Sequence, residues 1–114
     1  MQPAFCQTFY IGGTFSANHT IIFKTPFDMQ LVHVSAANTS ANAGTVKVGT
    51  AADDDAYMAA KSFGVSSAAA EYERDDFIGG QFPHIPDGTT VVVTLTDHAS
   101  HMANASVVLT FTEG

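Results

Sequence analysis

Residues 86–112 read PDGTTVVVTLTDHASHMANASVVLTFT, and this segment decides the fold class. Its Pro-Asp-Gly start is typical of a turn, because proline fixes one backbone angle and glycine tolerates conformations that close the chain on itself. Valine, leucine and threonine then alternate over residues 90–96 and again over residues 106–112. Alternation of apolar and polar residues is the period of a strand with one buried face. The segment therefore predicts two strands, which we expect to pair across a connection too long for a tight hairpin.

Further strands are predicted towards the N-terminus. Residues 20–25, TIIFKT, form a short β-rich run that stops before a proline. Residues 27–37 have apolar side chains on both faces, which is typical of a central, buried strand, and residues 45–50 alternate cleanly. Residues 65–81 are less regular and could form a polar edge strand or a helical turn, and we expect extended structure there.

Only residues 51–64 suggest a helix. The aspartates at positions 53–55 precede AYMAAK, an order that suits acidic capping of a short helical turn over residues 56–61. With about seven or eight short strands, the pattern predicts an all-β protein folded as an antiparallel β-sandwich with at most one short helical turn. Jelly-roll and immunoglobulin-like topologies both satisfy this count, and we expect the jelly roll.

The length of 114 residues suits a single β-sandwich domain over residues 1–114. Residues 1–12 are predicted either as a first strand or as an arm that contacts a neighbouring subunit. Cys6 is the only cysteine, which excludes an internal disulfide, and its apolar neighbours favour a buried side chain. Neither a secretion signal nor an apolar run of membrane-spanning length is predicted.

The charge balance restricts the partners. Eleven acidic and four basic residues give a net charge of −7, and only 13% of the residues are charged. An acidic surface repels phosphates and anionic lipids, so we expect neither nucleic-acid nor membrane binding. A weakly charged surface is suited to coverage by neighbouring proteins.

The loop 97–101, Asp-His-Ala-Ser-His, is the main candidate for chemistry. Asp97, His98 and His101 are weak candidates for metal ligands, and His84 is a conceivable third imidazole. Two close histidines fall short of the usual four-ligand set, so we expect a polar loop, no bound metal and no cofactor. Ser100 lies beside both histidines without the glycines of a nucleophile elbow, and we expect no enzymatic activity.

We expect structural roles, and no binding site, for two other groups of residues. Three N-glycosylation sequons, at Asn18, Asn38 and Asn104, are expected to reflect polar loops. Sugar-binding platforms usually use flat aromatic rings, and this chain has no tryptophan, which leaves its three tyrosines. Among these, Tyr57 and Tyr72 flank the acidic centre of the sequence and could lie on the surface, although such tyrosines more often cover the edge of a core with the hydroxyl in water.

Residues 27–57, FDMQLVHVSAANTSANAGTVKVGTAADDDAY, resemble a module found in small structural proteins of tailed bacteriophages. The closing segment 96–114, TDHASHMANASVVLTFTEG, has the same character. The resemblance implies a jelly-roll capsid decoration (cement) protein, made in the host bacterial cytoplasm and located on the virion. It also implies a homotrimer bound to the major capsid protein at capsomer junctions.

The alternative function is a carbohydrate- or receptor-binding module of a phage tail or fibre. The apolar side chains that could lie at such interfaces are those of Phe5, Phe9, Pro83, Ile85 and Pro86, although aromatic residues of this kind more often belong to the core.

Overall fold

The computed structural model describes residues 4–114, and residues 1–3 of the predicted arm lie outside this range. The described chain contains nine strands and two single 3-10 turns, at Arg74–Asp76 and Ile78–Gly80. The strands are β1 (Ala4–Thr14), β2 (His19–Lys24), β3 (Met29–Ala37), β4 (Thr45–Thr50), β5 (Met58–Ser62), β6 (Ala70–Tyr72), β7 (His84–Ile85), β8 (Thr90–Thr96) and β9 (Ala103–Glu113). In the described part of the chain no helix is long and apolar enough to cross a membrane.

The strands form two antiparallel sheets that pack face to face. The first sheet has the order β1-β9-β3-β6, with β7 also paired to β3, and the second has the order β2-β8-β4-β5. Because β6 and β7 both pair with β3, they act as two pieces of one broken strand. Strand β1 therefore pairs with β9, β2 with β8, β3 with β7, and β4 with β5. This is the jelly-roll topology, so the predicted fold class is confirmed.

The core lies between the two sheets. On β8 the inward face consists of Val91, Val93 and Leu95, all at most 1% exposed, as the alternating pattern predicts. On β9 the inward face contributes Val107, Leu109 and Phe111, each fully buried. The expected pairing of these two strands is wrong: β8 pairs with β2 and β4, whereas β9 pairs with β1 and β3. Their connection instead crosses from one sheet to the other, and the two strands face each other across the core.

The helical turn expected over residues 56–61 is also wrong, because Met58–Ser62 form the edge strand β5. Met58 is fully buried and lies opposite Val48 of β4. Burial of this side chain in the sandwich outweighs the helix propensity of the surrounding alanines. The region 65–81, expected to be extended, forms only the short strand β6 before the two 3-10 turns.

The predicted arm is a strand within the domain. Residues 4–12 belong to β1, the outermost strand of the first sheet, which is antiparallel to β9. A contact between this segment and a neighbouring subunit stays a prediction. Cys6 is exposed on this strand, contrary to the expected burial, because its side chain points away from the core.

Jelly-roll topology gathers loops from distant parts of the sequence at each end of the sandwich. Loops 15–18, 38–44, 63–69 and 97–102 meet at one end, which we call the loop cluster. Backbone hydrogen bonds join these loops, including Phe15 N–H to the carbonyl of Met102 at 2.8 Å and Asn38 N–H to the carbonyl of Gly64 at 3.0 Å. Loops 25–28, 51–57 and 86–89 lie at the opposite end.

Candidate functional site

Asn38 is the central residue of the loop cluster. Its side chain is 1% exposed. It makes hydrogen bonds to backbone groups in loops 38–44 and 63–69 and at Ala103, which follows loop 97–102. The amide nitrogen donates to the carbonyl of Gly64 at 2.9 Å, and the amide oxygen accepts the N–H of Ser40 at 2.9 Å and of Ala103 at 3.4 Å. Because buried polar groups are stable only when hydrogen-bonded, these bonds fix the loops relative to one another.

All three sequon asparagines have structural roles in or beside this cluster. The amide oxygens of Asn18, Asn38 and Asn104 each accept a backbone N–H, at 2.8, 2.9 and 2.8 Å respectively. The burial of Asn38 leaves no access for glycosylation in the folded domain. These asparagines organise loops, which is the role that the sequence analysis assigned to them.

Asp97 and His101 form the shortest polar contact of the loop cluster. His101 Nδ1 lies 2.6 Å from Asp97 Oδ2, while Asp97 Oδ1 accepts the backbone N–H groups of His98 and Met102. Burial alone would raise the pKa of Asp97, but the hydrogen bonds from His101, Met102 and His98 outweigh it and hold the pKa below its ordinary value. The carboxylate therefore stabilises the turn at the start of the loop.

His98 is also occupied within the loop. Its Nδ1 accepts the backbone N–H of Ser100 at 2.9 Å, so this nitrogen has no lone pair left for a metal ion. His84 cannot complete a site here, because it pairs with Gln30 near the far end of β3, about 25 Å from the loop cluster at 3.3 Å per residue. The proposed participation of His84 is wrong. Ser100 offers its N–H, not its hydroxyl, to His98.

Among residues 4–114, Asp53, Asp54 and Asp55 form a group of three carboxylates that could hold a metal ion. Their oxygen atoms lie within 4.8 Å of one another. These exposed carboxylates lie in the turn between β4 and β5 instead of capping a helix. A hydrogen bond to Asp53 and its negative charge raise the pKa of Asp55. Asp54 is paired with Lys47 at 2.9 Å. An exposed acidic turn of this kind is also typical of a solvated corner.

The predicted interface residues occupy different environments. Phe5 and Phe9 are half-buried and pack on the core, with ring centroids 5.9 Å from Phe111 and 5.8 Å from Phe23 respectively. Ile85 is fully buried in the core, so its side chain is not accessible to a neighbour, and its expected interface role is wrong on these grounds. Pro83 is half-buried and Pro86 is exposed.

Within residues 4–114, five large apolar side chains outside the predicted set are exposed. They are Tyr10 at 65%, Ile22 at 64%, Ile78 at 49%, Phe27 at 40% and Phe82 at 38%. Phe27 contacts Phe5 edge-to-face at 5.3 Å, so the first strand and loop 25–28 share an apolar corner. Alternation along the strands accounts for two of them, because Tyr10 and Ile22 each lie between two more buried residues of the same strand.

Two grooves lie on the outer face of the first sheet. One has a volume of about 550 Å³ and a mostly charged lining, which includes His33, Glu73, Arg74 and Asp76. The second groove, of about 380 Å³, lies where β1, β9 and β3 meet the loop cluster. We call it the Tyr10 groove, and it is lined by Tyr10, Ala37, Asn38, Thr39, Ser67, Asn104 and Ser106.

Two of the three tyrosines cover the edge of the core, which is the more common placement for such residues. Tyr57 and Tyr72 are half-buried and pack against the core, and this burial raises the pKa of both phenols. Tyr72 donates its hydroxyl to the carbonyl of Ser62 at 2.6 Å. Tyr10, on the outer edge strand, is the exposed tyrosine.

The fold is similar to that of solved viral structures. A chain of the cyanophage Pam1 capsid asymmetric unit is 18% identical with a TM-score of 0.59, and the match covers 99% of this chain and 85% of that chain. A chain of the infectious bursal disease virus Gx strain is 12% identical (TM-score 0.49, covering 99% of this chain and 33% of that chain). The Tobacco streak virus coat protein is 10% identical (TM-score 0.44, covering 96% and 86%). No family model and no curated protein matches the sequence. The first similarity establishes a fold shared with a viral capsid chain.

Proposed function

We propose that this chain is a structural protein of a phage virion that decorates the head and stabilises it at the junctions between capsomers. The observation that supports this most is the match of the whole jelly roll to a chain of a cyanophage capsid, with nearly complete coverage of both chains. Fold similarity alone is compatible with many functions, so the surface must also suit such a role.

The part of the outer face formed by β1, β9 and β3 suits burial against another protein, in contrast to the charged groove beside residues 73–76. There the side chains of Thr8 on β1, Val108 on β9 and Ser35 on β3 form a row across the strands. These side chains are small and uncharged, and covering hydroxyl and methyl groups costs less desolvation free energy than covering charges. Interfaces between proteins are correspondingly depleted of charged residues at their centre.

The edge of the first sheet suits contact between copies of the chain. Strand β1 is 11 residues long, has one unpaired side, and contains no charged residue. The other sheet edges are each charged, with Lys24 on β2, Lys61 on β5 and Glu71 on β6. Charged residues on an edge strand discourage pairing with another chain, and β1 lacks that protection. We propose that a homotrimer covers this edge, since a closed assembly leaves no edge open.

The remaining partners follow from this role. The major capsid protein is the proposed binding partner, the outer surface of the virion the proposed location, and the host bacterial cytoplasm the proposed place of synthesis. A net charge of −7 disfavours direct contact with the packaged genome. Nothing in the loop cluster supports catalysis, since its histidines and aspartate serve the loop itself.

Heads assembled with and without the chain test the proposal. We expect heads that lack it to release their DNA at a lower temperature and under milder osmotic shock than complete heads. Adding purified chain back should restore the original release temperature with saturable stoichiometry. Equal robustness of both kinds of head, with no binding of the added chain, would contradict a cement role.

The second candidate function is a carbohydrate- or receptor-binding module of a tail or fibre. The exposed ring of Tyr10 beside an uncharged polar groove is the observation that favours it. Sugar binding at this groove is also compatible with a location on the head.

A further inference from the structure

The Tyr10 groove is formed by residues that are far apart in the sequence. It has a volume of about 380 Å³, which is near the lower end of the range of roughly 300–1,000 Å³ for small-molecule sites. Its lining contains one aromatic ring together with hydroxyl and amide groups, and no Asp, Glu, Lys, Arg or His. This chemistry suits a neutral ligand with many hydroxyl groups.

Tyr10 is exposed but held in position. Its ring is 65% exposed, while its hydroxyl donates a hydrogen bond to Asn104 Oδ1 at 3.2 Å. The ring also lies over Gly12, where an added Cβ would come within 3.3 Å of the ring atom Cε2. A flat apolar surface that is already fixed loses little conformational entropy when a ligand covers it. The ring therefore has the properties of a stacking platform.

Asn104 fixes this platform to the loop cluster. Its amide oxygen accepts both the Tyr10 hydroxyl and the backbone N–H of Gly13, at 3.2 and 2.8 Å. Its amide nitrogen donates to Thr39 Oγ1 at 3.1 Å, which leaves the second N–H of this group for a ligand. The groove thus presents a rigid ring beside a directed hydrogen-bond donor.

Two lining residues have unusual backbone conformations. Ser67 and Asn104 have φ values of 65° and 49°, in the left-handed region that disfavours residues other than glycine. Left-handed residues of this kind are concentrated at functional sites, where the surrounding structure holds them in place. Here a hydrogen bond from the N–H of Ser67 to the carbonyl of Asn38, at 3.0 Å, holds that loop against the groove.

We propose that the Tyr10 groove binds a neutral carbohydrate. The C–H face of one pyranose ring would stack on Tyr10, and sugar hydroxyls would bond to the side chains of Ser67 and Asn104. Aromatic rings contribute large contact areas at low entropic cost in such sites. Anionic sugars are disfavoured, because the chain has a net charge of −7 and the groove has no cationic residue. The proposal goes beyond the capsid role, and it requires that Tyr10 and the groove stay accessible where other parts of β1 and of the outer face contact neighbouring proteins.

Nuclear magnetic resonance titration of the purified protein tests this site. The probes are the methyl glycosides of glucose, galactose, mannose and N-acetylglucosamine, and their short neutral oligomers, each at about 10 mM, where a Kd of about 1 mM gives near-saturation. We expect at least one neutral sugar to give saturable backbone shifts centred on Tyr10, Ser67 and Asn104. Sialyllactose, an anionic probe, should bind more weakly than its neutral counterpart lactose.

Variants separate stacking from a general effect on the fold. Tyr10→Ala should weaken binding by about tenfold or more, whereas Tyr10→Phe, which keeps the ring, should change it only a few-fold. Ile22→Ala is the matched control, because Ile22 is 64% exposed on the opposite sheet, and it should bind as the wild type does. If Tyr10→Ala fails to fold, the residues whose resonances shift in the wild type, together with the affinity of the Phe variant, still test the proposed site. Absence of saturable shifts with every neutral probe, or shifts centred elsewhere, would overturn the proposal.

Discussion

The hydroxyl of Tyr10 donates to the amide oxygen of Asn104 at 3.2 Å, which joins the first strand of the jelly roll to its last across 94 positions of sequence. The same oxygen accepts the N–H of Gly13 at 2.8 Å, within the register shift between Ile11 and Thr14 of β1. One side chain therefore holds the end of the edge strand β1 in place.

Replacement of Asn104 should destabilise the domain in a graded way. Asn104→Ala removes these bonds. It also leaves at a φ of 49° a residue that has a Cβ atom but no polar side chain to stabilise that conformation. We therefore expect the free energy of unfolding to fall by about 2–3 kcal/mol. Asn104→Gly loses the same bonds but relieves the backbone, so its loss should be smaller. Urea unfolding followed by circular dichroism measures both, and an Ala variant as stable as the Gly variant would contradict the backbone argument.

Asn38 should be the most sensitive residue of the loop cluster. Asn38→Ala leaves the carbonyl of Gly64 and the N–H of Ser40 without their side-chain partners, and we expect a loss of about 2–4 kcal/mol. Asn42→Ala is a suitable comparison, because Asn42 is half-buried and its bonds to Ser100 and His101 lie nearer the surface. Hydrogen exchange in loops 38–44, 63–69 and 97–102 should accelerate together in the Asn38 variant. Acceleration confined to one loop would show that Asn38 does not couple them.

The stability contributed by Asp97 should depend on pH. Its hydrogen bonds from His101, Met102 and His98 lower the pKa in the folded state, so the ionised carboxylate is stabilised by folding. This contribution is fully present above the unfolded pKa of about 3.9 and is lost as the pH falls through the lower folded value. At pH 7 we expect Asp97→Asn to lose about 2 kcal/mol.

The pH dependence distinguishes this effect from simple loss of packing. The difference in unfolding free energy between wild type and Asp97→Asn should shrink between about pH 5 and pH 2. Asp87→Asn, in the exposed loop 86–89, should show little difference from wild type at any pH. A constant difference for Asp97→Asn across the whole range would indicate that the charge is not involved.

Contact between copies should depend on the edge of β1. Thr8 is exposed on this strand, and Thr8→Lys adds a positive charge of the kind that prevents pairing at sheet edges. We expect light scattering after size-exclusion chromatography to give a trimer for the wild type and a monomer for Thr8→Lys. Thr20→Lys, at an exposed position on β2, is the matched control and should remain trimeric. A monomeric wild type at high concentration would contradict the proposed assembly.

The inward faces of the strands are predictable from sequence, and their partners are not. Alternation over residues 90–96 correctly identifies Val91, Val93 and Leu95 as core, because the period of a strand is a local property. Pairing is set by the whole set of strands, and in a jelly roll successive strands often belong to opposite sheets. For this reason β8 and β9, adjacent in sequence, do not pair.

The sites are still less predictable, for related reasons. The helix expected near Met58 rests on local propensity, which the burial of that side chain in β5 overrides. The exposure of Tyr10 depends on where β1 sits in its sheet, and its hydrogen bond depends on a residue near the other end of the chain. His98 and His101 are candidate metal ligands because they are close in sequence. In the structure their hydrogen bonds to Ser100 and Asp97 stabilise the loop itself.

The location of the chain on assembled particles tests whether it is a component of the phage head, as proposed. Particles assembled from the genome that encodes the chain can be separated into heads and tails and probed with an antibody against it. We expect the chain in intact heads, at a constant ratio to the major capsid protein and accessible on the outer surface. Its presence on tails or fibres alone, or its absence from purified particles, would contradict the capsid role.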